Sequence, residues 1–194
     1  MTAGAKTASY GLVKPAIEAL EAAGHLAGPV LRHVGLPGEL SPGDRRRIPL
    51  ESALAFWEAA AELSADRDFG LHAAERCAGA SGTLVDFLFI NSPTLGDGFA
   101  RCTEYLRLVV DRGAAWLLVE GTKAKLTRAR IRGDTGRHYA EYALASNVLR
   151  GRRVTGVDWV PSQVTFGHPR PVSTAAHEKL FGCPIAFSAS SDSM

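Results

Sequence analysis

Through the first 112 positions apolar residues recur at intervals of three and four, and that spacing predicts a run of helices. Val13, Ile17 and Leu20 make one stripe over residues 9–23, closed by Gly24, which readily takes the left-handed backbone that ends a helix. A shorter helix is expected over 29–34, stopped by Gly35. Leu50, Leu54, Trp57 and Ala61 form the stripe of the next, which starts at Pro49 and ends near Ser64. Asp68 is placed to cap a helix through Leu71 and Ala74 as far as Gly79, and another short one over 83–91 should turn Leu84, Phe87 and Leu88 inward. The intervening 36–47, with two prolines, two glycines and Arg45-Arg46-Arg47, reads as a loop whose charges face solvent. The sharpest local signal is Ser92-Pro93-Thr94-Leu95-Gly96-Asp97. Pro93 holds Ser92 extended, Thr94 can accept an amide bond at a helix start, and Asp97 sits where the positive helix end favours a carboxylate. That helix should run to Arg112, with Phe99, Cys102, Leu106 and Val109 buried and Arg101, Glu104 and Asp111 opposite.

At Gly113 the period changes. Residues 114–120 and 123–131, around Gly121-Thr122, read as an antiparallel hairpin with one wet face carrying Lys125, Thr127 and Arg130. Helix returns over 134–150. A strand is expected over 163–166, a helix over 173–180 capped by Ser173 and ended by Gly182, and a strand fragment over 185–187. Helices first and separated strands afterwards predict an α+β fold, a mainly helical N-terminal half packed with a small, mostly antiparallel sheet from the C-terminal half. A length of 194 residues suits a single domain over 1–194.

Composition narrows the function classes. The 22 basic and 20 acidic residues leave a net charge of +2 and are interspersed, so the chain lacks the single-sign field that phosphate backbones attract. No apolar run is long enough to span a bilayer and the N-terminus lacks a secretory apolar core, so a cytoplasmic location with no membrane partner is expected. The three cysteines are far apart and include no CxxC, and Cys77 and Cys102 read as small core residues.

Catalytic constellations are lacking. Gly79-Ala80-Ser81-Gly82 resembles a nucleophile elbow, but Thr83 stands where the last glycine belongs. There is no P-loop or GxGxxG, and neither His72 with Glu75 nor His168 with His177 has metal-ligand spacing. No catalytic residue, metal or cofactor is therefore assigned. The remaining candidates are aromatic: Trp57, Phe87, Tyr105, Trp116, Tyr139 and Tyr142 lie on or beside inward stripes, and Glu141, flanked by two of the tyrosines, is placed to orient a ligand. The same residues also fit a solid core with tyrosine hydroxyls at its edge.

Taken in order, Ile48-Pro49-Leu50, Phe69-Gly70-Leu71-His72, Ser92-Pro93-Thr94-Leu95, Tyr105, Val164-Thr165-Phe166 and Phe181-Gly182-Cys183-Pro184 with Phe187 carry a family likeness. The sequence resembles the N-terminal effector-binding domain of AraC-type bacterial transcriptional regulators, the arabinose-binding-domain group, over nearly its whole length. The resemblance implies a sensor that binds a small effector, forms a homodimer and controls a C-terminal helix-turn-helix module that grips DNA. That module is expected to be absent from this sequence, whose last residues, Ser191-Asp192-Ser193-Met194, stand about where it should begin. The expectation is a fragment or a protein that has lost its DNA-binding part. With few side-chain amides and helical apolar walls, the expected ligand is apolar or an aromatic acid, its carboxylate met by Arg107 or Arg170. The ligand is expected between the 94–112 helix, the hairpin and the 134–150 helix. Two alternatives stay open: a dimerisation module without a ligand, and a small cytosolic enzyme or haem-type sensor using His138.

Overall fold

A computed structural model of the chain describes residues 6–39, 46–77, 84–111, 115–128 and 136–194. Strand β1 (Thr7–Ala8) and a 3-10 turn at Tyr10–Leu12 lead into helices α1 (Lys14–Ala22) and α2 (Ala27–His33). Strand β2 (Ile48–Pro49) precedes α3 (Leu50–Ser64), α4 (Phe69–Cys77), α5 (Leu84–Ile90) and α6 (Leu95–Val109). The second half contains β3 (Ala115–Glu120), β4 (Lys123–Arg128), α7 (Arg137–Thr155), β5 (Val164–Thr165), α8 (Ala175–Phe181), β6 (Ile185–Ala186) and β7 (Asp192–Ser193). The α+β expectation holds, with the helices concentrated in the N-terminal half.

The stripes of α1, α2, α3 and α4 close around Trp57, which is fully buried. Its indole N–H donates to the Leu12 carbonyl at 3.0 Å, so the polar end of the ring is satisfied inside the core. Phe69 meets it edge-on at 6.1 Å, and Tyr139 and Tyr142 of α7 pack against it at 5.8 and 4.7 Å. A second core under α7 joins Leu144, Val148, Phe166 and Phe181, and a third joins Phe89, Phe99 and Leu126. At Gly70 the helices α4 and α7 touch backbone to backbone: a Cβ there would lie 2.1 Å from the His138 carbonyl oxygen.

The Thr94 cap forms as the sequence predicts, its hydroxyl oxygen accepting from the Asp97 amide at 3.1 Å while the hydroxyl donates to the Asp97 carboxylate at 2.7 Å. Other boundaries move for identifiable reasons. Helix α6 stops at Val109 rather than Arg112, because Val110 turns extended to bridge Ala8 and the Asp111 amide donates to Thr7 O at 2.9 Å. Arg47, exposed as expected, also clamps this junction: it donates to Leu108 O at 2.8 Å, Thr7 O at 3.0 Å and Asp111 Oδ1 at 2.6 Å. Thr7 also bonds Asp111 through its hydroxyl. Helix α7 continues past Arg150 to Thr155, since Gly151 fits under the Trp159 ring and the left-handed stop is Gly156.

In α5 the inward face is Asp86 and Phe89; Phe87 is 64% exposed. Leu84 to Ile90 is apolar almost throughout, so periodicity does not fix its rotation. What fixes it is a buried ion pair, Arg150 Nε to Asp86 Oδ1 at 2.7 Å.

The larger sheet has the order β3-β4-β7-β5-β6, antiparallel except for β5 with β6, while β1 and β2 pair separately. Strand β7, polar and unpredicted, lies between β4 and β5, and Met194 exchanges backbone bonds with Leu126 at 2.9 and 3.0 Å. The boundary residues Gly79, Gly113 and Asp134, the segment 79–82, Arg45, Arg130 and Ile131 lie outside the described residues. Among the described residues no helix is long and apolar enough to cross a membrane.

Two stability predictions follow from this packing. Gly70→Ala forces the α4 and α7 backbones apart and should cost about 2–3 kcal/mol in urea unfolding, and an unchanged midpoint would show that the contact carries no such constraint. Thr94→Ala removes a cap and should cost about 1 kcal/mol by the same measurement.

Candidate functional site

The site starts from the first turns of α7. Arg137 and Glu141 lie four residues apart and so share a face, with His138 beside them. The Glu141 side chain is fully buried, and a carboxylate there is tolerable only with close donors. Arg137 Nε donates to its Oε1 at 2.7 Å, and His177 Nε2, from α8, donates to the same oxygen at 2.8 Å. His138 Nδ1 lies 3.5 Å from Oε2, and His168 Nε2 lies 3.6 Å from Oε1. Burial by itself raises the carboxyl's pKa, but the close approach of His138, the hydrogen bond from His177 and the Arg137 guanidinium overcome that and hold it well below the usual range. Glu141 is thus a permanent buried anion.

His168 stands on the segment that leaves β5. Its ring packs on Phe166 at 5.0 Å and Phe187 at 5.6 Å, and its side chain is 10% exposed. Nδ1 lies 2.9 Å from Pro169 O; a carbonyl can only accept, so the proton sits on Nδ1. Burial lowers the ring's pKa, which keeps it neutral and leaves Nε2 a bare acceptor. That nitrogen is buried and has no hydrogen-bond partner among the described residues; neither does Glu141 Oε2.

In front of this cluster opens a cleft of about 480 Å³, walled by the first turn of α7, residues 168–172 and the ends of β4 and β7. Three arginines, Arg128, Arg137 and Arg170, line it against one carboxylate, Asp192, while Ala140, Pro169, Pro171 and Val172 supply apolar surface. Asp192 is engaged on both oxygens: Arg128 donates to Oδ2 at 2.7 and 3.1 Å, and the Gly167 amide to Oδ1 at 2.8 Å. Arg170 is exposed, donates to Thr174 Oγ1 at 3.2 Å and lies 5.6 Å over the Phe187 ring. The N-terminus of a 19-residue helix opens into the same space through Gly136 and Arg137, adding its positive dipole end.

The sequence candidates divide into three groups. Trp57, Tyr139 and Tyr142 do come together, but as ring contacts of the core. Tyr139 approaches the cleft indirectly, its ring lying 5.1 Å beneath the Arg128 guanidinium. Glu141 sits directly behind the cleft wall, turned toward histidines rather than held between the tyrosines. Phe87, Tyr105 and Trp116 stand 64%, 37% and 47% exposed on α5, α6 and β3 and do not line the cleft. Of the two arginines proposed for a carboxylate, Arg170 lines it and Arg107 does not.

Sequence reasoning missed Arg128, Arg137 and Asp192, and weighed His168 with His177 only as a metal pair. Only the Arg137–Glu141 spacing offered a local signal; the others converge through topology.

Other chemistries find less support. Burial pushes the Cys77 and Cys102 thiols up to about 11 and about 12, so neither is an activated nucleophile. Among the described residues no group of His, Cys, Asp and Glu is arranged to hold a metal ion. His138 faces protein on both ring nitrogens, with the Gly70 amide 3.4 Å from Nδ1 and Glu58 Oε2 3.9 Å from Nε2.

Comparison with solved structures finds the crystal structure of the transcriptional regulator CdpR from Pseudomonas aeruginosa, at 13% identity and a TM-score of 0.48. The match covers 86% of this chain and 52% of that one, so the chain spans about half its length. No curated protein matches the chain. The family model described as the arabinose-binding domain of AraC transcription regulators, N-terminal, matches residues 24–194, and the chain belongs to that family of regulator domains.

Proposed function

We propose that this chain is the effector-sensing and dimerisation domain of an AraC-type regulator, that its effector is a small organic acid with an apolar or aromatic body, and that it governs an attached DNA-binding module. The observation that carries the ligand class is the convergence of Arg128, Arg137 and Arg170 on one partly apolar cleft at a helix N-terminus. Guanidinium groups bind carboxylates through paired, charge-assisted hydrogen bonds, and Pro169, Pro171 and Val172 offer surface for a hydrocarbon body. In this reading Glu141 and Tyr139 hold Arg137 and Arg128 in position, and Trp57 and Tyr142 are the packing behind them. The wall 168–172 and the first turn of α7 belong to different parts of the fold, so a ligand touching both favours one arrangement of the two over another.

Phe87, Tyr105 and Trp116 take a different part. With Leu108 and Leu118, 54% and 49% exposed, Tyr105 and Trp116 give α6 and β3 an apolar outer surface, and we assign the homodimer contact to it. Sedimentation equilibrium should find a dimer that Leu108→Glu with Leu118→Glu converts to a monomer. A double variant that stays dimeric would move the contact elsewhere.

Calorimetric titration of the chain with benzoate, hexanoate and glutarate tests the ligand class. Arg170→Ala should weaken the best binder by about tenfold or more without altering ligand-free stability, since its side chain is exposed. Arg107→Ala, off the cleft, should leave binding unchanged. Equal affinity of the wild type and Arg170→Ala would exclude Arg170 from the site, and failure of every acid to bind would defeat the ligand class.

A further inference from the structure

We propose that the cleft takes up its anionic effector together with one proton, which lodges on His168 Nε2 and is donated to Glu141, making His168 the residue that selects a charged ligand over a neutral one. The inference rests on the organic-acid reading above and adds how that site discriminates.

It starts from two acceptors set face to face. With Nδ1 donating to Pro169 O, the neutral ring has Nε2 as a bare acceptor, and that nitrogen lies 3.6 Å from Glu141 Oε1 with no hydrogen-bond partner among the described residues. Burying a lone pair against a carboxylate without a hydrogen between them is unfavourable, and a single proton turns the contact into a charge-assisted hydrogen bond. A proton needs no added volume, only a small closure of that gap.

What keeps the proton away in the free protein is the balance of charges around the ring. From α7, Glu141 favours protonation and Arg137 opposes it; His138 lies beyond Glu141 on the same helix. From α8, His177 already donates to Glu141 Oε1 and so uses part of its charge. From the sheet, Asp192 favours protonation while its partner Arg128 offsets it, and Arg170 adds a further positive charge on His168's own segment. The remaining neighbours, Phe166 and Phe187, desolvate the ring. Burial prevails and lowers the ring's pKa, which favours the neutral form. A carboxylate in the cleft changes one entry in that balance: it neutralises the arginines that oppose protonation and places a negative charge beside the wall that His168 forms. The proton comes from bulk solvent and returns to it when the ligand leaves, and no bond to the effector is made or broken.

The sign follows from linkage. The free ring loses its proton below the ordinary histidine range and the occupied ring above it, so between those values binding takes up a proton. Affinity then strengthens by up to about tenfold for each unit that pH falls within the window. A neutral ligand of the same shape gains nothing.

The test is titration of the whole chain with the tightest of benzoate, hexanoate and glutarate in buffers of different ionisation enthalpy, with benzamide as the neutral counterpart of benzoate. Proton uptake approaching one is expected for the acid and none for benzamide. His168→Gln, polar but unable to take the proton, should abolish both the uptake and the pH dependence while leaving weaker, pH-independent acid binding. Uptake that survives in His168→Gln, or acid binding to the wild type with no proton change across the window, overturns the proposal and leaves the acid reading standing. If none of the acids binds the wild type, both fall together. Should His168→Gln fail to fold, ring 15N shifts of His168 in the wild type decide instead: Nε2 must move from unprotonated to protonated on adding the acid, and an Nε2 that stays bare refutes the assignment.

Discussion

A carboxylate with no exposed surface organises the C-terminal half of this molecule. Glu141 is fully buried and ionised, and an ion in that position must be surrounded by donors. Those donors come from separate stretches of chain, Arg137 from one turn earlier on α7 and His177 from α8, and the rings of His138 and His168 lie close beside them. None of these elements can shift far without leaving the charge uncompensated. Removing one partner from a buried pair typically costs about 3–5 kcal/mol, more than most core contacts. The charge thus fixes how α8 sits against α7, and the cleft opens in front of that docking.

Helix α7 carries that constraint into the rest of the fold. One side of it bears Arg137 and Glu141; another presents Tyr139 and Tyr142 to Trp57 in the N-terminal core. Near its start the His138 backbone abuts Gly70 too closely for any side chain, and at Arg150 the buried pair with Asp86 ties it to α5. Backbone contact and paired charge resist sliding more than apolar packing does, because neither tolerates a small displacement. A ligand that alters the cleft wall therefore acts against a helix anchored at several points along its length.

Much of the fold was legible. The stripe through Leu50, Leu54, Trp57 and Ala61, the Thr94 cap and the hairpin about Gly121 are set by local spacing and local chemistry, and they form where expected. Strand β7 was invisible because Asp192 and Ser193 are polar and yet 2% and 3% exposed. Their burial depends on Arg128, the Gly167 amide and the Thr165 hydroxyl, which reach them from distant positions. Phe87 was turned the wrong way because in an all-apolar helix it is the lone charge, Asp86, that chooses the face. Of the candidate site, Glu141 was identifiable as a polar residue among aromatics, but its partners His168 and His177 lie on other elements, and single-sequence spacing carries no information about them.

The aromatic residues on the inward stripes and the open cleft occupy different parts of the fold. Tyr142 lies 4.7 Å from Trp57 and packs between α3 and α7, so this aromatic cluster is where the interior is closed. The open space lies where charge has to be managed. Side chains such as Arg137 and Arg170 cannot pack to interior density, because each needs water, a counter-ion or a hydrogen-bonding partner at its end. At the cleft Arg128 and Asp192 satisfy one another, Arg137 is committed to Glu141, and Arg170 stands exposed at the rim, donating to Thr174. Polar groups that stabilise the docking of α8 thereby also prevent the front of the cluster from collapsing. The same requirement that assembles the wall keeps the cleft open to a solute of opposite charge.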